Sequence, residues 1–222
     1  MSLRLLVVDD QSLMRAGLRS LLESQAGFEV AGEASDGLEA VERGRQLRPD
    51  VVLMDIRMPR LDGIEATRRL LDAPETSRTR VIALTTFDLD EHVYGALRAG
   101  ASGFLLKDQP PEEIVAGVRT VARGESLLAP AVTRRLIESF VSQPAPSGAT
   151  DSEPLSSLTE REREVLEQVA RGRSNAEISA DLYVSEATVK THLGHVFEKL
   201  AVRDRAQAIV FAYEHGVVRP GG

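Results

Sequence analysis

Across the first 125 residues, short apolar runs alternate with amphipathic helical patterns, and this alternation constrains the fold more than any other feature. Leu3–Val8, Val51–Met54 and Val81–Leu84 are runs without polar alternation, and Phe28–Ala34 and Ser102–Leu106 are weaker ones. Runs of this kind are expected of strands buried on both faces. Between them, Leu13, Leu18, Leu21 and Leu22 share one helical face, as do Leu38, Val41 and Leu47. Further helical patterns run over Ile64 to Leu71, Val93 to Leu97 and Ile114 to Val121. Strands and helices in strict alternation predict an α/β fold, a doubly wound five-stranded parallel sheet of flavodoxin-like type. Asp36 and Glu39 have the spacing of a capping box at one helix start.

The residues that end each run are chemically informative, because a doubly wound sheet gathers its site at the carboxyl ends of the strands. Asp9 and Asp10 end the first strand, Asp55 ends the third, Thr85 closes the fourth and Lys107 the fifth. One such acid is ordinarily a helix cap. Three from two strands would repel one another unless a cation sits among them. Oxygen ligands with room for water suit Mg²⁺. Carboxylate, divalent cation, hydroxyl and ammonium together suit phosphoryl transfer to a side chain. Lys107 gains weight from composition, since 24 of the 27 basic residues are Arg and only Lys107, Lys190 and Lys199 are Lys. Arg cannot replace Lys where a compact point charge is required.

Residues 1–125 resemble the receiver domain of a two-component response regulator. The resemblance rests on Asp9-Asp10, on Leu53-Met54-Asp55-Ile56-Arg57-Met58-Pro59 with Asp62-Gly63, on Leu84-Thr85, and on Gly100 through Lys107. It implies that Asp55 is the phosphoacceptor and that Asp9, Asp10, Asp55 and the carbonyl of Arg57 hold Mg²⁺. It further implies that Thr85 and Lys107 bind the phosphoryl oxygens, and that Phe104 is an aromatic switch turning inward as Thr85 moves. Arg57 and Phe87 would flank the path of the water that removes the phosphoryl group. Many receivers carry Pro after the Lys; here the residue is Asp108.

Residues 126–155 read as a linker, with one helical pattern over Ala129 to Val141 and then Pro144, Pro146, Gly148 and Pro154 among Ser, Ala and Thr. From residue 156 to 222 the pattern is helical only, which predicts a second, smaller all-α domain of four helices. Thr159 with Glu162, Ser174 with Glu177, and Asp204 with Gln207 have capping-box spacing. Asn175–Leu182 and Glu186 to Leu200 read as helix–turn–helix, with Val189, Leu193, Val196, Phe197 and Leu200 as its core stripe. Ala187, Thr191, Gly194 and Glu198 fall opposite, with Lys190 and His195 on the flanks, a small-residue face suited to a major groove.

Leu158 through Glu162, Ser174 through Ile178 and Ser185 through His192 resemble the C-terminal domain of NarL/LuxR-type regulators. That resemblance implies DNA contacts from Ser185, Ala187, Thr188, Lys190, Thr191, Gly194 and His195, and pairing through the last helix. Ala206, Ile209, Val210 and Tyr213 are the candidate pairing residues. Gly194 departs from relatives that carry a basic or polar side chain there.

Composition trims the alternatives. Cysteine is absent, so disulfides and thiolate chemistry are excluded. No apolar run is long enough to span a membrane, and Leu3–Val8 meets two acids too soon for a signal peptide. The expected location is the cytoplasm. Net charge is −7, so attraction to nucleic acid must come from a local patch. The expected function is a phosphorylation-activated transcription regulator rather than an enzyme with a turnover substrate. Its expected partners are a sensor histidine kinase, double-stranded promoter DNA, a second copy of itself and RNA polymerase. Two rivals stay open: an Asp-nucleophile phosphatase, which would ordinarily show Asp-x-Asp after a strand, and an interaction module that is never phosphorylated.

Overall fold

A computed structural model describes residues 2–85, 93–124 and 153–218 of the protein. Phe87, the helical pattern over Ala129 to Val141 and most of the linker reading lie outside these residues. The chain divides into two compact units, Met1–Leu127 and Leu128–Gly222.

In the first unit, β1 (Leu3–Val8), β2 (Phe28–Ala34), β3 (Val51–Asp55), β4 (Arg80–Thr85) and β5 (Gly103–Leu106) form one sheet in the order β2-β1-β3-β4-β5. Every pairing is parallel. Helices α1 (Ser12–Glu23), α2 (Gly37–Leu47), α3 (Gly63–Leu71), α4 (Val93–Arg98) and α5 (Pro111–Ala122) connect the strands. The period of two along each strand splits the core into two layers. Leu5, Val7, Leu53, Ile82 and Leu84 face Leu18 and Leu22 of α1 and Ile114, Val118 and Val121 of α5. Leu6, Val8, Val52, Met54 and Val81 face Ala40 of α2 and Ala66 and Leu70 of α3. This two-sided burial accounts for the uninterrupted apolar runs. The chain turns one way from β1 to β2 and the other way from β1 to β3. That reversal opens a crevice at the carboxyl ends of β1 and β3.

Asp36 caps α2 by accepting from the backbone N–H groups of Leu38 and Glu39. The reciprocal half of the expected capping box is missing, because the Glu39 carboxylate goes to Ser35 instead. At Gly37 and Gly63 an added side chain would run into backbone. A Cβ at Gly37 would lie 2.4 Å from the Leu61 carbonyl, and one at Gly63 would lie 1.9 Å from the carbonyl of Asp55.

In the second unit, a single turn α6 (Glu153–Ser156) precedes α7 (Glu160–Ala170), α8 (Asn175–Asp181), α9 (Glu186–Lys199) and α10 (Arg205–Glu214). Complete capping boxes start α7 at Thr159/Glu162 and α8 at Ser174/Glu177. Asp204 caps α10 through the Gln207 N–H. Val165, Leu166, Val169, Ile178, Val189, Val196 and Ala206 are fully buried and fill the interior.

The last helix turns its apolar side chains into its own bundle. Ala206, Ile209, Val210 and Tyr213 are all buried, Tyr213 at 8% exposure being the least so. The Tyr213 hydroxyl donates to the Ala170 carbonyl of α7 at 3.2 Å. These four residues pack within the bundle of their own chain. A domain this small needs almost every apolar side chain of its last helix for its own core.

Candidate functional site

The residues at the carboxyl ends of the strands converge as the topology requires. Val8 lies beside Met54 in the β1–β3 register, so Asp9 and Asp55 leave adjacent strands at the same level. One carboxylate oxygen from each of Asp9, Asp10 and Asp55 lies within 4.8 Å of the other two. Asp9 and Asp55 are buried and Asp10 is exposed. Lys107 leaves the end of β5 and places Nζ 2.6 Å from Asp9 Oδ2 and 2.8 Å from Asp55 Oδ2. Its backbone is fixed by a 2.8 Å bond from its N–H to the carbonyl of Thr85.

These contacts set the charge balance. Burial pushes the Asp55 carboxyl above its ordinary value, against the pull of the Lys107 ammonium. Burial also works against the Lys107 charge, but the carboxylates of Asp55 and Asp9 outweigh it and hold the ammonium above its usual value. The contacts thus favour the charged form of Lys107, while burial makes the Asp55 carboxyl more basic. Asp9 Oδ1 accepts the Gln11 N–H at 2.9 Å. Its other oxygen is buried and, beyond the ion pair with Lys107, has no directed hydrogen bond. Three carboxylates gathered within one small crevice, with Lys107 as the cation beside them, form an oxygen-ligand set that fits a hard divalent cation. Asp9, Asp10 and Asp55 are the side chains that could hold it.

Thr85 is buried at the end of β4 and pairs in register with Leu106. Phe104 is 4% exposed, so its ring is buried. Arg57 is exposed, and its N–H reaches Asp55 Oδ1 at 3.3 Å. Two supports carry no signal in the sequence pattern. Arg15 donates to the carbonyl of Asp9 at 2.7 Å and lies 3.6 Å from Glu33 on β2. Gly63, notable in sequence only as part of a motif, lets α3 start against the backbone of Asp55 and donates its N–H to the Ile56 carbonyl. A glycine before a helical run carries no sign of what approaches it.

In the second unit the helix–turn–helix reading holds, with α8 and α9 ending one residue earlier than the sequence pattern suggests. Val189, Leu193, Val196 and Leu200 are buried, and Phe197 is half-buried. Ala187, Lys190, Thr191, Gly194, His195 and Glu198 are exposed. Gly194 has open space around it. Ser185 caps α9 through the Thr188 N–H, and the two hydroxyls lie 2.8 Å apart. Thr188 is thus half-buried and engaged in the cap rather than outward-facing. His195 Nδ1 lies 3.6 Å from Glu162 Oε1 of α7. Glu162, in sequence only a capping partner, does more. It is buried and receives Lys199 Nζ at 2.6 Å as well as the Thr159 N–H. Lys199 beside it holds its carboxyl down to about 2. One of the three lysines therefore closes the helical domain, leaving Lys190 alone among them on the outer face of α9.

A doubly wound sheet with an acid–lysine crevice, joined in one chain to a helix–turn–helix domain, defines a transcription regulator governed by a receiver. Similarity to known proteins agrees with that class. Residues 5–119 match the response regulator receiver domain, and residues 156–212 match the bacterial regulatory proteins of the luxR family. The chain belongs to the response regulators with a receiver and a LuxR-type DNA-binding domain. It is 41% identical to the transcriptional regulatory protein YxjL of Bacillus subtilis over 98% of each chain. It is 37% identical to the response regulator protein VraR of Staphylococcus aureus over 99% of this chain and 100% of that one. Among solved structures, the response regulator ChrA of a heme-sensing two-component system covers 98% of this chain and 99% of its own, with 39% identity and a TM-score of 0.52. These relatives are transcription regulators rather than enzymes. No helix among the described residues is long and apolar enough to cross a membrane.

Proposed function

We propose that Asp55 accepts a phosphoryl group from a phosphohistidine of a sensor kinase. In that step an Asp55 carboxylate oxygen attacks phosphorus in line, the bond from phosphorus to the imidazole nitrogen breaks, and an acyl phosphate forms. The observation that carries this reading is the double contact of Lys107 with Asp9 and Asp55 in a crevice of three carboxylates. A phosphoryl group adds about −1.5 to −2 charges. Lys107 is the protein's own cation within reach of them. Asp9, Asp10 and Asp55, with the carbonyl of Arg57, would hold Mg²⁺, which supplies the remaining neutralisation when bound. The Thr85 hydroxyl, at the end of the neighbouring strand, would take one phosphoryl oxygen and Lys107 another. Phe104 is the switch residue of this reading, and its burial fits the inward state.

The receiver would span residues 1–125, a linker 126–155 and the DNA-binding domain 156–222. The phosphorylated chain would pair and place α9 in the major groove of promoter DNA, with Ala187, Lys190, Thr191 and Gly194 facing the bases and phosphates. Ser185, Thr188 and His195 would act from the cap and the flank. Pairing through α10, with Ala206, Ile209, Val210 and Tyr213 as the candidate residues, belongs to this reading. This reading sets the protein in the cytoplasm, in contact with RNA polymerase at its promoters, with no turnover chemistry beyond its own phosphorylation and dephosphorylation.

The test is intact mass after treatment with a small-molecule phosphodonor. The wild-type chain should gain one phosphoryl group only with Mg²⁺, and Asp55→Ala should gain none. Equal labelling of Asp55→Ala, or full labelling in EDTA, overturns the assignment.

A further inference from the structure

The Lys107 side chain is long and its ammonium must be aimed at two carboxylates, so the loop that roots it matters as much as its charge. Fixing a Lys side chain costs rotamer freedom, and a mobile root would add to that cost. The loop is closed by a side chain. Gln109 Oε1 accepts the N–H of Leu106, the last residue of β5, at 2.9 Å. The Gln109 N–H returns to the Leu106 carbonyl at 3.2 Å. Lys107 and Asp108 are held inside this reciprocal clasp. The other end of the same amide is anchored as well. Gln109 Nε2 donates to Glu113 Oε2, in the first turn of α5, at 2.9 Å. One amide thus uses its acceptor on the strand end and its donor on the following helix.

We infer that Gln109 is a positioning residue for phosphoryl transfer. It fixes the root of Lys107 so that the ammonium meets Asp9, Asp55 and the incoming phosphoryl oxygens without a search. Gln109 touches none of the reacting atoms. Neither charge nor hydropathy marks it in the sequence. An amide supplies an acceptor and a donor on one rigid group, and Asn, the other amide, is one methylene shorter. The inference rests on the reading of Asp55 and Lys107 given above.

The experiment measures the rate of Asp55 phosphorylation by a small-molecule phosphodonor in the full chain, as a function of donor and Mg²⁺ concentration. Gln109→Ala should lower the maximal rate about fivefold to tenfold, with half-saturation by Mg²⁺ within about twofold of wild type, because the carboxylates are untouched. Gln109→Glu combined with Glu113→Gln exchanges donor and acceptor between the two side chains, and should restore the rate to within about twofold of wild type. In a Lys107→Ala background, Gln109→Ala should have no further effect on the rate, since the group it positions is gone. A full additional loss in that background, or no recovery in the exchanged pair, overturns the inference while leaving Asp55 and Lys107 in place. An unchanged rate in Lys107→Ala alone overturns the underlying reading of Lys107 and the inference with it.

Discussion

The two units solve the problem of placing function in opposite ways. In the receiver most side chains of the proposed site are buried, and the sheet puts them where they are. Asp9, Asp55 and Thr85 are each no more than 4% exposed, and each follows or ends a strand packed on both faces. Their positions are set by the same hydrogen-bonded ladder that sets the core, so the site and the fold are one object. In the helical domain the proposed contact residues Ala187, Lys190, Thr191 and Gly194 are exposed and touch no core. There the core only has to present a helix, and the outer face is free to vary. A change in the receiver site should therefore disturb both chemistry and packing. A change on the outer face of α9 should alter recognition alone.

The largest effect that would sharpen this contrast is Leu166→Ala. Leu166 is fully buried in α7, and its truncation should cost about 2–5 kcal/mol. That is enough to unfold a domain of this size. Two melting transitions should become one, with Asp55 labelling by a phosphodonor unaffected. Loss of labelling as well would show that the units do not fold independently. Next comes Gly63→Ala, whose Cβ would press on the Asp55 carbonyl. It should destabilise the receiver by about 1–3 kcal/mol and slow phosphorylation, leaving the helical domain's melt unchanged. Normal labelling with normal stability would mean that the start of α3 can shift without cost.

Acid tests the ion pair that ties α7 to the end of α9. The Glu162 carboxyl is lowered from an ordinary 4.5 to about 2 by Lys199 and the cap of α7. A lowered carboxyl adds stability that is complete above 4.5 and is lost as the pH falls from there toward about 2. Glu162→Gln should remove about 1 kcal/mol at neutral pH, after discount for solvent around Lys199, and flatten the acid limb of that domain's stability curve. Chemical denaturation of the wild type and variant at pH 7 and pH 3 checks it; parallel curves would refute the ion pair's role. The smallest effect on structure, and the sharpest on recognition, belongs to Lys190→Ala. Stability should hold within about 0.5 kcal/mol. The slope of log affinity for DNA against log salt should flatten by about one per subunit if Lys190 meets a phosphate. An unaltered affinity and slope would remove α9 from the interface.

How much is legible in the sequence differs between the units for the same reason. Asp9, Asp10, Asp55, Thr85 and Lys107 can be picked out because buried parallel strands announce their own ends. The core stripe of α9 is equally visible from its spacing, and its exposed face is the complement. For the candidate pairing residues of α10, spacing shows that a helix has an apolar face and not what covers it. Ala206, Ile209, Val210 and Tyr213 satisfy the periodicity of an interface and of a core alike, and only the packing of α10 against α7 shows them buried within their own chain.

The sequence by itself determined the alternation of elements, the parallel sheet, the helix starts at Thr159 and Ser174, and which residues stand at the strand ends. Each of these comes from local periodicity or from chemistry a few residues apart. Tertiary structure alone decided the contacts between residues distant in the chain. Lys107 meets both Asp9 and Asp55 because β1, β3, β4 and β5 lie side by side in that order. Glu162 becomes a buried ion-pair partner because the end of α9 crosses the start of α7. Gly63 becomes irreplaceable because α3 begins against Asp55. Such contacts depend on where whole elements pack, and no local pattern records that.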